Sequence, residues 1–573
     1  MGNTVAESLA AALRRHGVRD VFGQSLPSLF FLATPEQSIR QVVYREENAG
    51  GAMADGYARV TGRVGVVAAQ NGPAATLLVP PLAEAFKASV PVLAIVQEVP
   101  RSARDRNAFQ ELDHVALFSA CSKAIHRLDD PARVDDYVDA AMTEAASGRP
   151  GPVVLLVPKD VLAEPVPVGS TRKAQYGQFP LDRYAPGPDQ IKRVAELLAT
   201  ARRPLVVAGG GVHTSGAASE LAELQQLASL PVATTAMGKG SVDETHPLSV
   251  GVIGYAMGVN GATRHARPLV GDADLILFVG TRTNENGTDG WRLFPQSATY
   301  VHLDMDPVEV GRNYEALRLV GDAKLTLRAL LDELKTGSLD ARAVAREQVV
   351  AQIEEARREH QAQISALAGS DASPIRPERI MRELDAQLTE DMIVVADASY
   401  SSVWICNYLR ARRAGQRFLA PRGLAGLGWG MPMALGAKAA HPESPVVVVV
   451  GDGGFAHCWA EIETAVRMAL PITVVVLNNS ILGYQKHAEL YQFAEHTDAI
   501  DFSPVDHAAI AVACGARGVR VESADELAGA LRDAQAAPVV TVIDVITEPD
   551  AYPPISAWDG NPTLSELTEG TRR

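Results

Sequence analysis

Short apolar runs alternate along the whole chain with longer stretches of helical periodicity. Runs bounded by Gly, Pro, Asn and Asp read as buried strands, and the intervening stretches read as crossover helices. That alternation predicts parallel α/β sheets. Three such blocks follow one another. The first runs to about residue 165, with strands expected at 41–44, 65–69, 92–96 and 153–157. A Pro-, Gly- and polar-rich stretch over 166–190 reads as a linker. The second block covers about 190–335, with apolar runs at 204–211, 274–281 and 299–306. A charged helical stretch, 340–368, leads through a SDASPIRP turn into the third block, about 376–550. There the strands are expected at 393–396, 446–450, 472–477 and 539–545, and the tail 551–573 is Pro- and Gly-rich and polar. The N-terminal stretch predicts an amphipathic helix capped by Thr4, with Glu7 three residues on. A small-residue helix is expected over 48–60.

The totals narrow the class. At roughly 100–200 residues per domain, 573 residues hold several domains. The net charge of −15 disfavours nucleic acid as a partner and offers no basic stripe for an anionic membrane. Every apolar run is shorter than the ~20 residues of a membrane helix, and the N-terminus lacks the uninterrupted apolar stretch of a signal peptide. The four cysteines form no CxxC pair and no disulfide framework. A cytoplasmic location is expected.

The chemistry concentrates in VVVVVGDGGFAHCWAEIETAVRMALPITVVVLNNS, residues 446–480. In an open parallel sheet, ligands bind beyond the carboxyl ends of the strands. Asp452 follows one apolar run and Asn478-Asn479 follow the next. With these strands as neighbours, all three side chains emerge at one rim. A carboxylate with amide carbonyls is a hard oxygen set suited to Mg²⁺ or Ca²⁺. Gly453 and Gly454 would open a helix whose N–H groups suit a phosphate. Alone, the same residues also fit a helix cap and a turn in any α/β protein.

The spacing adds more. Between Gly453 and Asn478 lie 24 residues, room for one helix and one returning strand. GDG followed at this distance by NN resembles the signature of thiamine diphosphate (ThDP) enzymes. Further stretches extend the resemblance over nearly the whole chain. YREENAGGAMADGYARVTGRVGVVAAQNGPAAT, AFQELDHVALFSACSK and GLAGLGWGMPMALGAKAA resemble corresponding segments of the acetolactate synthase-like branch of ThDP-dependent decarboxylases and carboligases. This resemblance implies a pyrimidine-binding domain, a central domain and a diphosphate-binding domain, each a doubly wound parallel sheet. It also implies active sites between subunits of a homodimer or homotetramer.

By the same resemblance Glu47 faces the pyrimidine N1′ and relays the activating proton, while Asp452, Asn479 and the carbonyl of Ile481 hold Mg²⁺. The resemblance further implies that the carbonyl of Ala425 takes the 4′-amino group and that Leu427 wedges the cofactor into its bend. Ser401, Ser402, Gly451, Gly453, Gly454, Gly483 and Tyr484 would line the diphosphate and thiazolium. Phe109 and Gln110 would face the substrate.

Departures from the family pattern bear on the substrate. Gln97-Glu98 puts a carboxylate where acetolactate synthases carry Gly-Gln, which makes Glu98 a candidate catalytic group. Gly23-Gln24-Ser25-Leu26-Pro27 replaces a GYPGG loop. Ala488, beside Gln485 and His487, stands where the family places a large aromatic. In block two, the family's RFDDR is Arg282-Thr283-Asn284-Glu285-Asn286, which leaves FAD in the central domain an open expectation. The expected reaction is decarboxylation of a 2-keto acid with transfer of the acyl unit to an aldehyde or ketone. Simple decarboxylation, C–C bond cleavage and a non-catalytic regulatory protein remain as alternatives.

Overall fold

The computed structural model describes residues 3–167, 169, 172 and 182–559. Three six-stranded sheets are built, and every strand pairing in them is parallel. The first runs Arg40–Val43, Asp20–Gly23, Gly65–Ala69, Val92–Glu98, Val153–Pro158, Ala124–Arg127. The second runs Leu317–Val320, Thr299–Asp304, Leu275–Val279, Pro204–Ala208, Val232–Thr234, Ser249–Val252. The third runs Phe418–Leu419, Ile393–Ala396, Val446–Gly451, Thr473–Asn478, Thr541–Ile546, Arg517–Val521. Helices cover the faces, so central strands are buried on both sides and read as unbroken apolar runs. Val446–Gly451 and Thr473–Asn478 are neighbours in register, with Gly451 opposite Leu477.

All the strands expected from apolar runs are present, within a residue or two at their ends except for the run 204–211, which is strand only over Pro204–Ala208 because its glycines turn into the next helix. Those without such runs lie mostly at sheet edges. Arg517–Val521 and Ala124–Arg127 are half-exposed, and Phe418–Leu419 is only two residues long. Thr4 caps the helix Val5–Arg15 in a full capping box with Glu7. The charged stretch 340–368 is one helix, Asp340–Ala368.

The first and third domains dock within the chain through two small-residue helices, Glu47–Thr61 and Gly430–Ala440. Their backbones touch. A Cβ on Gly436 would stand 1.9 Å from the carbonyl oxygen of Met53, and one on Gly56 would stand 2.2 Å from that of Met433. The segment after Pro549, expected as a polar tail, instead packs as far as it is described. Tyr552, Ile555 and Trp558 are buried with Val403 and Leu490, because the stretch YPPISAW carries apolar bulk among its turn residues. Residues 560–573 and most of the expected linker lie outside the described residues.

Candidate cofactor site

The rim expected at the carboxyl ends of two neighbouring strands exists. Asp452 is buried at the end of Val446–Gly451. Its Oδ1 accepts from the Gly453 N–H at 2.9 Å, and its Oδ2 accepts from the Ser480 N–H at 2.6 Å. The carboxylate therefore reaches across to the turn that carries Asn479 and Ile481. Burial pushes Asp452 up to about 6, and Asp544 nearby adds to the rise. Among the described residues no cationic side chain lies within ion-pair distance of it. A buried carboxylate without a cation, beside an amide oxygen and a turn of backbone carbonyls, is a donor set that fits a hard divalent ion.

Asn478 does not join this rim. Its Nδ2 donates to Asp544 Oδ1 at 2.8 Å and to the Val505 carbonyl at 2.9 Å, so the side chain turns into the domain and braces the next strand. Alternation along a strand places successive side chains on opposite faces, and only Asn479, one residue past the strand, faces out.

A cavity of about 650 Å³ opens in front of the rim. Asn479, Ile481, Gly453, Gly454, Gly483, Tyr484, Ser401, Ala425 and Leu427 line it, and so does Gln485. Ser402 does not. Its Oγ donates to the Ser399 carbonyl at 2.8 Å and accepts from Arg422 at 3.0 Å, so it faces the domain interior. Gly451 is also absent from the lining, and a Cβ there would meet nothing within 4 Å. The Gly453 N–H is taken by Asp452, which leaves it less free for a phosphate than the motif implied. The outer wall is aromatic: Tyr400 and Tyr484 lie 5.5 Å apart, and Trp558 packs against Tyr484. Tyr400 donates or accepts at His487 Nδ1 over 2.7 Å. Burial, with Lys486 beside it, brings His487 down to about 4, so the ring is neutral and supports Tyr400. Ala488 packs behind this wall.

The residues of domain one lie apart from this cavity. Glu47 begins the helix Glu47–Thr61, half-buried, with no hydrogen-bond partner among the described residues. Phe109 is 86% exposed. Gln110 sits at φ +62, its carbonyl accepting from Asn71 and its Oε1 from Gln70. Glu98, expected as a catalytic group, is instead engaged. Arg127 grips it at 2.7 and 3.0 Å, and His114 Nδ1 lies 3.4 Å away. Burial alone would raise it, but the His114 and Arg127 contacts outweigh that and bring Glu98 down to about 2. A carboxylate so held is a fixed anion, poorly suited to exchanging protons near neutrality.

Several site residues carried no signal in the motifs. Tyr255, Asn286 and Arg422 line both this cavity and a second one of about 210 Å³ between the three domains. The second cavity is also lined by Gly210, Gly211, Gly280, Arg282, Asp304 and Arg417. Burial lowers Arg417 to about 10 and pushes Asp304 up to about 6. Arg282, Arg417 and Arg422 have no carboxylate partner among the described residues.

Known families account for this layout. The chain matches the thiamine pyrophosphate enzyme N-terminal TPP binding domain over 3–117, the central domain over 191–330 and the C-terminal TPP binding domain over 397–545. It therefore belongs to the thiamine pyrophosphate enzymes, α/β proteins of three parallel-sheet domains. Among similar proteins are the acetolactate synthase of Arthrospira platensis, 33% identical over 99% of this chain and 98% of the relative, and the acetolactate synthase large subunit of Parasynechococcus marenigrum, 33% identical over 99% and 92%. The large subunit of Cyanidium caldarium is 30% identical over 99% and 97%. The chain is a ThDP-dependent enzyme of the acetolactate synthase-like branch, of the carboligase and decarboxylase class. Among the described residues no helix is long and apolar enough to cross a membrane.

Proposed function

We propose that this enzyme removes CO₂ from a 2-keto acid and joins the remaining acyl unit to an aldehyde or ketone acceptor. Asn479 and Ile481, with Asp452 behind them through the Ser480 N–H, line one cavity with Ala425 and Leu427, and this supports the reading: the first group would grip a diphosphate and metal, and the second would hold the organic rings. Bound ThDP supplies an electron sink for the pair left behind when CO₂ departs. Asp452, Asn479 and the Ile481 carbonyl would hold Mg²⁺, whose charge offsets the diphosphate and the raised Asp452 carboxylate. Leu427 would press on the cofactor from the side, and the Ala425 carbonyl would accept from its 4′-amino group. Glu47 would hold and return a proton at N1′. The aromatic wall of Tyr400, Tyr484 and Trp558 would limit the entry of water to the reacting end of the cavity.

Glu47, Phe109 and Gln110 do not reach the cavity of their own chain, which favours a homodimer in which they face the cavity of a second copy. Exposed apolar side chains support this: Phe109, Leu77, Leu112 and Val115 on domain one, and Leu424, Phe493 and Phe502 on domain three. A flavin is a second ligand to test. Arg282, Arg417 and Arg422, which have no carboxylate partner among the described residues, favour with the nearby glycine turns an anionic group in the smaller cavity. The flavin absorbance of the purified protein decides it.

The test of the main reaction is CO₂ release from a panel of 2-keto acids with ThDP and Mg²⁺, with and without acceptor aldehydes. Release with a new carbon–carbon bond in the product supports carboligation. Release of the free aldehyde in both arms makes the enzyme a simple decarboxylase, and no release from any keto acid rules the reading out.

A further inference from the structure

Residues 423–429 join the short strand Phe418–Leu419 to the helix Gly430–Ala440 and have no regular structure of their own. They nevertheless supply Ala425 and Leu427 to the cavity wall. Two buried carboxylates hold them. Glu84, on the helix Val79–Ala88 of domain one, is 1% exposed. Its oxygens accept from three consecutive backbone N–H groups, Gly423 at 2.8 Å, Leu424 at 2.6 Å and Ala425 at 3.3 Å. Asp397, at the end of Ile393–Ala396 in domain three, does the same at the other end of the loop. It accepts from Gly428 at 3.0 Å, Trp429 at 3.2 Å and Gly430 at 3.0 Å. Successive N–H groups converging on one anion form a nest, a concave site matched to negative charge.

Between the two nests only Gly426 and Leu427 are left out. The loop is thus pinned on both sides of the residues that face the cavity. Its shape is not one the chain would keep unaided: Ala425 sits at φ +61, which costs a side-chain-bearing residue free energy. Glu84 is itself braced by Arg59, 3.3 Å away, and Arg59 is paired with Asp55 at 2.5 Å, both on the helix that begins with Glu47.

We propose that Glu84 is a positioning residue for the cofactor: through its grip on 423–425 it holds the Ala425–Leu427 wall of the cavity in its bent form, so that cofactor binding depends on the docking of domain one against domain three. The proposal rests on the ThDP reading of the cavity. It also connects two places. The helix pair that carries Glu84, Arg59 and Glu47 on domain one is mechanically tied to the loop that lines the cavity on domain three.

The experiment uses the full chain with E84Q and, from the loop's side, G423A. The amide of E84Q turns an acceptor into a donor facing N–H groups, and the Cβ of G423A would stand 2.6 Å from the Glu84 carbonyl oxygen and 3.0 Å from its carboxylate. Hydrogen exchange of amides 423–425 is read in the cofactor-free protein, and the ThDP concentration for half-maximal thermal shift is read with Mg²⁺ present. Faster exchange by at least about tenfold, with a half-saturation raised by at least about tenfold and a smaller change in turnover at saturating ThDP, is expected from losing charge-assisted hydrogen bonds. A lowered melting temperature with unchanged exchange and unchanged half-saturation would mean a merely structural carboxylate and would overturn the proposal. If E84Q is not recovered folded, G423A is judged on the same readouts. Absence of any ThDP-induced shift in the wild type would sink the cofactor reading instead, while the exchange of 423–425 still judges the clamp.

Discussion

At the scale of one residue, the proposed function makes Glu47 the side chain on which turnover would depend. It has no hydrogen-bond partner among the described residues, so in the proposed homodimer its carboxylate would be free to hold a proton at N1′. E47Q is expected to lower kcat by about 10²-fold or more while leaving the ThDP-induced thermal shift intact. Unchanged turnover would refute the assignment. Glu98 shows the opposite condition, a carboxylate wholly occupied by its neighbours. Replacing Arg127 by Met strands that buried charge with only His114 and the more distant Arg104 beside it. R127M should destabilise the protein by about 3 kcal/mol, and adding E98Q should restore part of the loss, as followed by urea unfolding. If R127M is neutral, the ion pair does not hold this part of domain one. Gln97-Glu98 reads as a substrate determinant in the sequence because spacing reports where a strand ends. It does not report which arginine, 29 residues later on the edge strand, folds back onto it.

Strands and helices obey the same distinction between what repeats locally and what packs at a distance. Central strands announce themselves as apolar runs because both their faces are covered. Edge strands such as Arg517–Val521 keep one face in water, so their pattern dissolves into that of a loop. The helix Glu47–Thr61 is readable as a helix, but the reason for its glycines is not. For Gly56 that reason is the backbone of Gly430–Ala440, lying within a methyl group's reach, while Gly50 and Gly51 make room for Tyr44 and Pro81. G436A inserts a Cβ against the Met53 carbonyl with no flexible side chain to give way. It should cost about 1–3 kcal/mol and lower the melting temperature, as overpacking does. A melting temperature unchanged from wild type would show that the helices can separate without loss. The 423–430 loop belongs here too: a single Ala at positive φ inside a glycine-rich run gives little hint of two carboxylates, from two domains, holding it.

Across the folded protein, the buried histidines titrate as burial dictates. Desolvation is the largest cause in bringing His213 down to about 3, and His302, His360 and His487 down to about 4. These rings are neutral in the folded state, whereas in the unfolded chain they take up protons below about 6.5. The unfolded state therefore binds more protons between those values. Stability should be unaffected by these groups above about pH 6.5 and should fall as pH drops from there towards 4. H487Q should reduce that slope by about one proton's worth in the melting temperature measured against pH; an unchanged slope would mean that His487 titrates normally. Assembly is tested by F109D, which places a charge on an aromatic that is 86% exposed in the single chain. Sedimentation should show a smaller species with little activity if Phe109 is covered by a second copy, and an unaltered species would exclude that face.

The parallel α/β class, the three blocks and the strand-end rim at Asp452 and Asn479 are legible in the sequence by itself. Each rests on local information: apolar runs, turn residues, and the count of residues one helix and one strand require. The roles of Glu47, Ala425 and Leu427 rest instead on the acetolactate synthase-like resemblance and stand as proposals. Tertiary packing alone sends Asn478 and Ser402 inward, ties Glu98 to Arg127, folds YPPISAW against the cavity wall and sets Glu84 under the 423–425 amides. These are contacts between residues that are mostly tens to hundreds of positions apart. Their partners are chosen by which surfaces the fold brings together, and nothing in a local pattern encodes that choice.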